Sequence, residues 1–196
     1  MAGVAFVALP ISAAWQHQQA RRGFEVVHFH THDSGYVIRG CTTAVEDAQA
    51  WTVDYEIELD AAWNTRHARI TGRSAGRSPT TTLEGDGAGH WLVDGEAAPH
   101  LDGCLDVDLE SSAMTNTLPV HRMRLAVGEQ ASAPAVYVRA LTLDTDRLEQ
   151  TYRRADNQGS HEVYDYSAPV FDFGCHLVYD ESGLLLTYPG IAVRVL

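Results

Sequence analysis

Ten consecutive residues constrain the fold of this chain more than any other stretch. In Trp51-Thr-Val-Asp-Tyr-Glu-Ile-Glu-Leu-Asp60 the apolar side chains Trp51, Val53, Tyr55, Ile57 and Leu59 alternate without exception with Thr52, Asp54, Glu56, Glu58 and Asp60. A period of two sends the two sets to opposite faces of an extended backbone, which describes a half-buried strand with one wet face. Similar runs are 24–31, 36–43, 67–71, 90–93, 105–109, 122–127, 135–143, 171–179, 184–188 and 191–195, with Asp33-Ser-Gly, Asp94-Gly and Glu181-Ser-Gly between some of them as hairpin turns. Many short strands without an amphipathic helix of twelve or more residues predict an all-β, mostly antiparallel domain with few short helices. Such a sheet has to curl or close to hide its edges. One helix is expected near the start, over 12–23, where Ser12 offers a cap, Arg21 and Arg22 fall in the last turn and Gly23 stops it. The polar segments 74–82 and 155–160 read as loops, and no internal repeat or domain boundary is visible.

The 196 residues suit one domain. A chain of this length buries roughly 70% of the surface its unfolded form exposes, so its core needs no metal or cofactor for stability. A formal net charge of −12, with fourteen arginines, no lysine and no basic run longer than two residues, argues against nucleic acid and against an anionic membrane surface. The absence of lysine also excludes a Schiff-base mechanism and a P-loop lysine. Cys41, Cys104 and Cys175 lie more than sixty residues apart and form no C-x-x-C pair, which fits free thiols in a reducing cytoplasm. Residues 1–14 are apolar, but they carry no basic residue ahead of their hydrophobic part, and Pro10 interrupts them. They make neither a complete signal peptide nor a membrane span, and an integral membrane protein is not expected.

Several short motifs invite chemistry. Gly72-Arg-Ser74-Ala-Gly76 satisfies the nucleophile-elbow pattern, but no helix can start in the following Arg77-Ser-Pro-Thr-Thr-Thr, so a polar hairpin loop is expected. His28, His30 and His32 share one strand face ahead of Asp33. Three such positions spread over ~13 Å along an extended strand, too far for one zinc ion, and no metal site is assigned. Gly85-Asp-Gly87-Ala-Gly89 lacks dinucleotide-loop spacing, and 101–109 lacks the loop and terminal glutamate of an EF-hand. Asp106 and Asp108 alternate with Leu105, Val107 and Leu109, and Arg122-Met-Arg124 repeats the alternation with opposite charge. Two facing strand surfaces are therefore expected to pair these acids and bases, Asp108 with Arg122 or else Asp106 with Arg124, tied down by Asn116 and Pro119, as a partly buried structural cluster.

The succession Tyr55-Glu-Ile-Glu, Trp63-Asn-Thr-Arg66, Gly89-His-Trp91-Leu-Val-Asp94-Gly95, Leu101-Asp-Gly103-Cys-Leu-Asp106-Val-Asp108-Leu and Thr115-Asn116-Thr-Leu118-Pro119-Val-His-Arg122 resembles the “putative glycolipid-binding” family, and the resemblance extends from about Trp15 to Val195. It implies a single β domain over 15–196, preceded by an extension, whose strands curl into a roll or incomplete barrel around an apolar groove. It also implies a first strand near Trp15, against the helix expected there. No catalytic residue or cofactor is carried over. The expected function is to hold a lipid or glycolipid. Aromatic rings suit acyl chains and sugar faces alike, and the strand faces carry Trp51, Tyr55, Trp63, Trp91, Tyr137, Tyr152, Phe171 and Phe173; the candidate ligand contacts among them are Trp51, Tyr55, Trp63, Trp91, Tyr137 and Tyr152, with Arg66 closing the Trp63 block. The alternative is a small-molecule hydrolase or isomerase that uses His28, His30 or His32 with Asp33, Asp106 or Asp108 as acid and base.

Overall fold

A computed structural model of the chain describes residues 6–19 and 21–196. The alternating segment lies in a strand running Gln49–Asp60, and its five apolar side chains are 0–4% exposed. Each such burial contributes about 1.5–3 kcal/mol. In chain order the strands are β1 (Ser12–His17), β2 (Arg22–His32), β3 (Gly35–Glu46), β4 (Gln49–Asp60), β5 (Thr65–Ser74), β6 (Thr80–Gly85), β7 (Trp91–Val93), β8 (Glu96–Ala97) and β9 (Asp106–Leu109). A short helix α1 (Thr117–Met123) follows, then β10 (Gln130–Ser132), β11 (Ala135–Val138), β12 (Thr145–Leu148), β13 (Thr151–Arg154), β14 (Glu162–Ala168), β15 (Phe173–Tyr179), β16 (Leu185–Tyr188) and β17 (Ala192–Arg194).

Fourteen of these strands form one antiparallel sheet, in the order β10-β13-β14-β15-β16-β17-β1-β2-β3-β4-β5-β6-β7-β8. The sheet curls without closing into a barrel. A second sheet, β12-β11-β9, includes the parallel pair β11–β9. Hairpins set the long central register. Asp33 and Ser34 turn β2 into β3, while Asp47 and Ala48, both at positive φ, turn β3 into β4. At the next corner Asp60 Oδ1 accepts the backbone N–H of Ala62 (2.9 Å) and of Asn64 (3.0 Å). Local side-chain acceptors of this kind stabilise a turn in place of ladder bonds.

Three expectations are overturned here. Ser12–His17 is a strand and not the start of a helix, because Ala13, Trp15 and His17 are buried in alternation between β2 and β17, and Trp15 Nε1 donates to Leu185 O at 2.8 Å. The cap and stop signals were outweighed by pairing on both sides. Arg122-Met-Arg124 is not a strand either. Arg122 and Met123 end α1, and Arg124 turns left-handed behind it with its N–H on Val120 O. Pro119 falls in the first turn of that helix, where its missing N–H costs nothing. The expected loop at 74–82 gives way to β6 from Thr80 onward, which pairs with β5 on one side and β7 on the other.

Residues 111–121 are buried without interruption although the segment reads Ser-Ser-Ala-Met-Thr-Asn-Thr-Leu-Pro-Val-His. This polar stretch and β9 occupy the inside of the curl. Among the described residues no helix is long and apolar enough to cross a membrane.

Candidate functional site

Three carboxylates are buried among the described residues, those of Glu25, Asp106 and Asp108, and their surroundings differ. Glu25 points inward from β2 in phase with Val27 and Phe29. It accepts hydrogen bonds from Tyr55 Oη (2.6 Å), from Ser112 Oγ, and from the backbone N–H groups of Ala113 (2.9 Å) and Met114 (3.3 Å). Tyr55 reaches it only because residue 40, across from Tyr55 on β3, is glycine: a Cβ there would lie 2.1 Å from the tyrosine ring. Burial pushes the Glu25 carboxyl up while these four donors oppose the shift. With Thr42 Oγ1 donating to Ser111 O at 2.8 Å, the arrangement fastens the enclosed segment to the inner face of β2–β4.

Asp106 is paired. Arg122 grips it with Nε (3.0 and 3.2 Å) and Nη2 (2.5 Å), a fork-to-carboxylate contact at 1% exposure on the acid. Burial raises the Asp106 carboxyl, and the guanidinium beside it acts in the opposite direction.

Asp108 has much less. Its Oδ1 accepts from Thr115 Oγ1 at 3.2 Å, and that hydroxyl lies equally far from Ser112 O, so one proton serves two acceptors. Burial is the largest cause that lifts the Asp108 carboxyl to about 7, with the charges of Asp106 and Glu110 adding to it and the Thr115 hydroxyl opposing. The group stands in a cavity of about 260 Å³ between β9, β11 and the inner faces of β14–β16. Five aromatic side chains line that cavity, Tyr137, Tyr166, Phe171, Phe173 and Tyr188, beside Asn116, Ser112, Glu110 and Arg21. Tyr166, Phe173 and Tyr188 contact one another edge to face at 5.9–6.3 Å, and Phe171 meets Tyr137 at 5.5 Å. The tyrosine hydroxyls here are pushed well up by burial and stay neutral.

Of the aromatic residues singled out from the sequence, Tyr137, Phe171 and Phe173 line this cavity. Tyr152 lies behind it, fully buried, with its hydroxyl on Asn116 Oδ1 at 2.9 Å. Tyr55 serves Glu25. Trp63 stacks on His121 at 3.7 Å between ring centroids, and burial pushes that histidine down to about 3. Trp91 Nε1 donates to Cys104 O at 2.9 Å. Arg66 is on the surface, 3.9 Å from Asp60. Trp51 lies under the guanidinium of Arg21 (5.1 Å) and floors a broad open concavity edged by Arg22, Arg73 and Arg77.

In the expected polar cluster, Arg122 therefore meets Asp106 and not Asp108, Asn116 binds Tyr152, and Arg124 lies apart over the Phe6 ring at 5.6 Å. Ser74 ends β5 in a tight hairpin, exchanging backbone hydrogen bonds with Arg77 (3.0 and 2.8 Å), with a strand and not a helix behind it. His28, His30 and His32 face outward from β2, across the sheet from Asp106 and Asp108. Among the described residues no group of three or more His, Cys, Asp or Glu is placed to hold a metal ion.

Sequence reasoning passed over Glu25, although a signal was present: it is a charged residue in the apolar phase of the β2 alternation. It named Phe171 and Phe173 among the strand-face aromatics but not Tyr166 and Tyr188, and it did not join the four, because separate positions on β14, β15, β16 and a turn converge only through pairing.

The family model described as “putative glycolipid-binding” matches residues 12–194. A crystal structure of a DUF1089-family protein from Pseudomonas aeruginosa is 34% identical, with a TM-score of 0.75 over 87% of this chain and 92% of that one. A β-barrel-like protein of the domain of unknown function DUF1849 from Brucella abortus shares the fold alone, at 12% identity and a TM-score of 0.54 over 97% of this chain and 96% of that one. No curated protein matches.

Proposed function

The chain belongs to the “putative glycolipid-binding” family, and we propose that it is a binding protein that seats the polar head of a lipid-like amphiphile in the aromatic cavity beside Asp108. The observation that carries this reading is the cavity itself: five aromatic side chains converge around an under-satisfied buried carboxylate and the Asn116 amide. Concave, mostly apolar sites with a few placed polar groups are where small molecules bind. At about 260 Å³ the cavity falls below the usual ~300–1,000 Å³ of drug-sized pockets, so it takes a head group and not a whole lipid. The tail would leave past Phe171, which is 45% exposed, and Val170, which is 71% exposed; both belong to the turn at the cavity mouth.

Thermal unfolding with octyl-chain amphiphiles, together with native mass spectrometry of gently purified protein, tests the reading. A ligand at a hundredfold excess over its dissociation constant adds ~2.7 kcal/mol of apparent stability. Phe171→Ser, at an exposed mouth position, should fold normally and lose the shift. No copurifying amphiphile and no shift with any head group would sink the proposal.

A further inference from the structure

Counting donors and counter-charges around the three buried acids leaves one debt. Glu25 receives four hydrogen bonds, and Asp106 receives a guanidinium. Asp108 receives a share of one hydroxyl, has two acids acting on it, and among the described residues has no ion-pair partner. Arg21 lines the same cavity but is engaged elsewhere. Its Nη1 donates to Glu110 O at 3.1 Å, its Nε lies 3.9 Å from Glu46, and its guanidinium sits over Trp51.

Resting on the assignment of this cavity as the ligand site, we propose that the head group it recognises is cationic, an ammonium or quaternary ammonium nitrogen placed against the Asp108 carboxylate among Tyr137, Tyr166, Phe173 and Tyr188. An uncompensated carboxylate in a desolvated site is costly, and a ligand cation supplies the missing charge. Aromatic rings attract cations through their negative faces, and lining by several rings is the arrangement that holds ammonium groups. A neutral sugar ring would fit the volume and accept the same rings, but it would leave the charge on Asp108 unanswered. The net charge of −12 draws cations toward the molecule before any contact forms.

Two probes with the same tail separate the possibilities. Octyltrimethylammonium and octyl glucoside, each below its micelle concentration, are titrated into the intact protein by calorimetry at pH 8 and at pH 6. The ammonium probe is expected to bind at pH 8, to bind several-fold more weakly at pH 6, and to lose about tenfold or more in Asp108→Asn, the range of close charge pairs at interfaces. The quaternary nitrogen does not titrate, so the pH effect reads the protein. The groups facing the site are Asp108 and Glu110, Asp106 held by Arg122, Arg21, and the neutral hydroxyls of Tyr137, Tyr166 and Tyr188. Octyl glucoside binding alone, or binding of both probes with no dependence on Asp108 or pH, would overturn the cationic assignment and leave the cavity as a ligand site. Binding of neither probe would overturn both. The wild-type comparison stands even if Asp108→Asn fails to fold.

Discussion

The two walls of the curled sheet treat the segment they enclose in opposite ways. Against β2–β4 the segment is sealed: Glu25 and Thr42 reach in and satisfy Ser112, Ala113, Met114 and the Ser111 carbonyl. Against β14–β16 it meets tyrosine and phenylalanine rings, and a cavity stays open beside Asp108. Each wall faces one buried carboxylate: Glu25 belongs to the first wall and reaches into the enclosed stretch, whereas Asp108 belongs to the enclosed β9 and looks toward the second. A buried acid with a full set of donors is an anchor, and one with a fraction of a donor is a place prepared for something else.

Removing the anchor should produce the largest effect. Glu25→Ala leaves two backbone N–H groups without an acceptor and the Tyr55 and Ser112 hydroxyls, 3.4 Å apart, with only each other, each unmet donor costing ~1–3 kcal/mol when buried, so about 3–5 kcal/mol of stability should be lost after relaxation. Equilibrium urea unfolding measures it. A loss below ~1 kcal/mol would mean that this wall is not sealed by Glu25 and that the contrast between the walls is misplaced.

That contrast also explains what could be read from the residues. β4 was legible because every second residue reports the same face, and the Asp33-Ser-Gly turn was legible because two residues join β2 to β3. The Ser12–His17 strand was hidden because Ser12, Arg21, Arg22 and Gly23 mimic helix punctuation, whereas its stability comes from β17, near the other end of the sequence. Arg122-Met-Arg124 imitates a strand because three residues cannot distinguish a period of two from a helix end. The anchor wall was half legible, through Glu25 in the wrong phase for a charge. The cavity wall was not, since Asp108, Tyr137, Tyr166 and Tyr188 are joined by β9–β11 and β14–β16 pairing that no local pattern records.

A somewhat smaller loss is expected where an acid is held by a charge. Arg122→Ala strands Asp106 at 1% exposure, and breaking one side of a buried pair costs ~3–5 kcal/mol, reduced here because Arg122 itself is partly exposed at 15%. A double-mutant cycle of Asp106→Ala with Arg122→Ala should give a coupling above ~1 kcal/mol, whereas Asp108→Ala with Arg122→Ala should be close to additive. Coupling in the second cycle and not in the first would put Asp108 in the anchored class and remove its special standing.

The smallest effect has the opposite sign and is read at Asp108. Its folded carboxyl titrates near 7 against an ordinary value of 3.8, so the folded protein holds the proton more tightly than the unfolded chain does. The contribution to stability is complete below about pH 4 and is lost as pH rises to about 7, at up to about 1.4 kcal/mol per pH unit. His17 and His121 run the other way. Burial pushes them down to about 4 and about 3, so their contribution is complete above pH 6.5 and is lost as pH falls. The wild-type curve mixes these trends with those of Glu25 and Asp106, whose carboxyls burial also raises, but the difference between Asp108→Asn and wild type isolates Asp108, because both proteins keep the histidines and the other two acids. That difference should be flat below pH 4, climb between pH 4 and 7, and level off in favour of the variant. By pH 8 the gain should be about 1–3 kcal/mol, less than the full linkage because the asparagine amide must itself be desolvated. A difference curve without slope between pH 4 and 7 would show that the Asp108 carboxyl releases its proton like that of the unfolded chain, and the contrast drawn between the two walls would lose its second half.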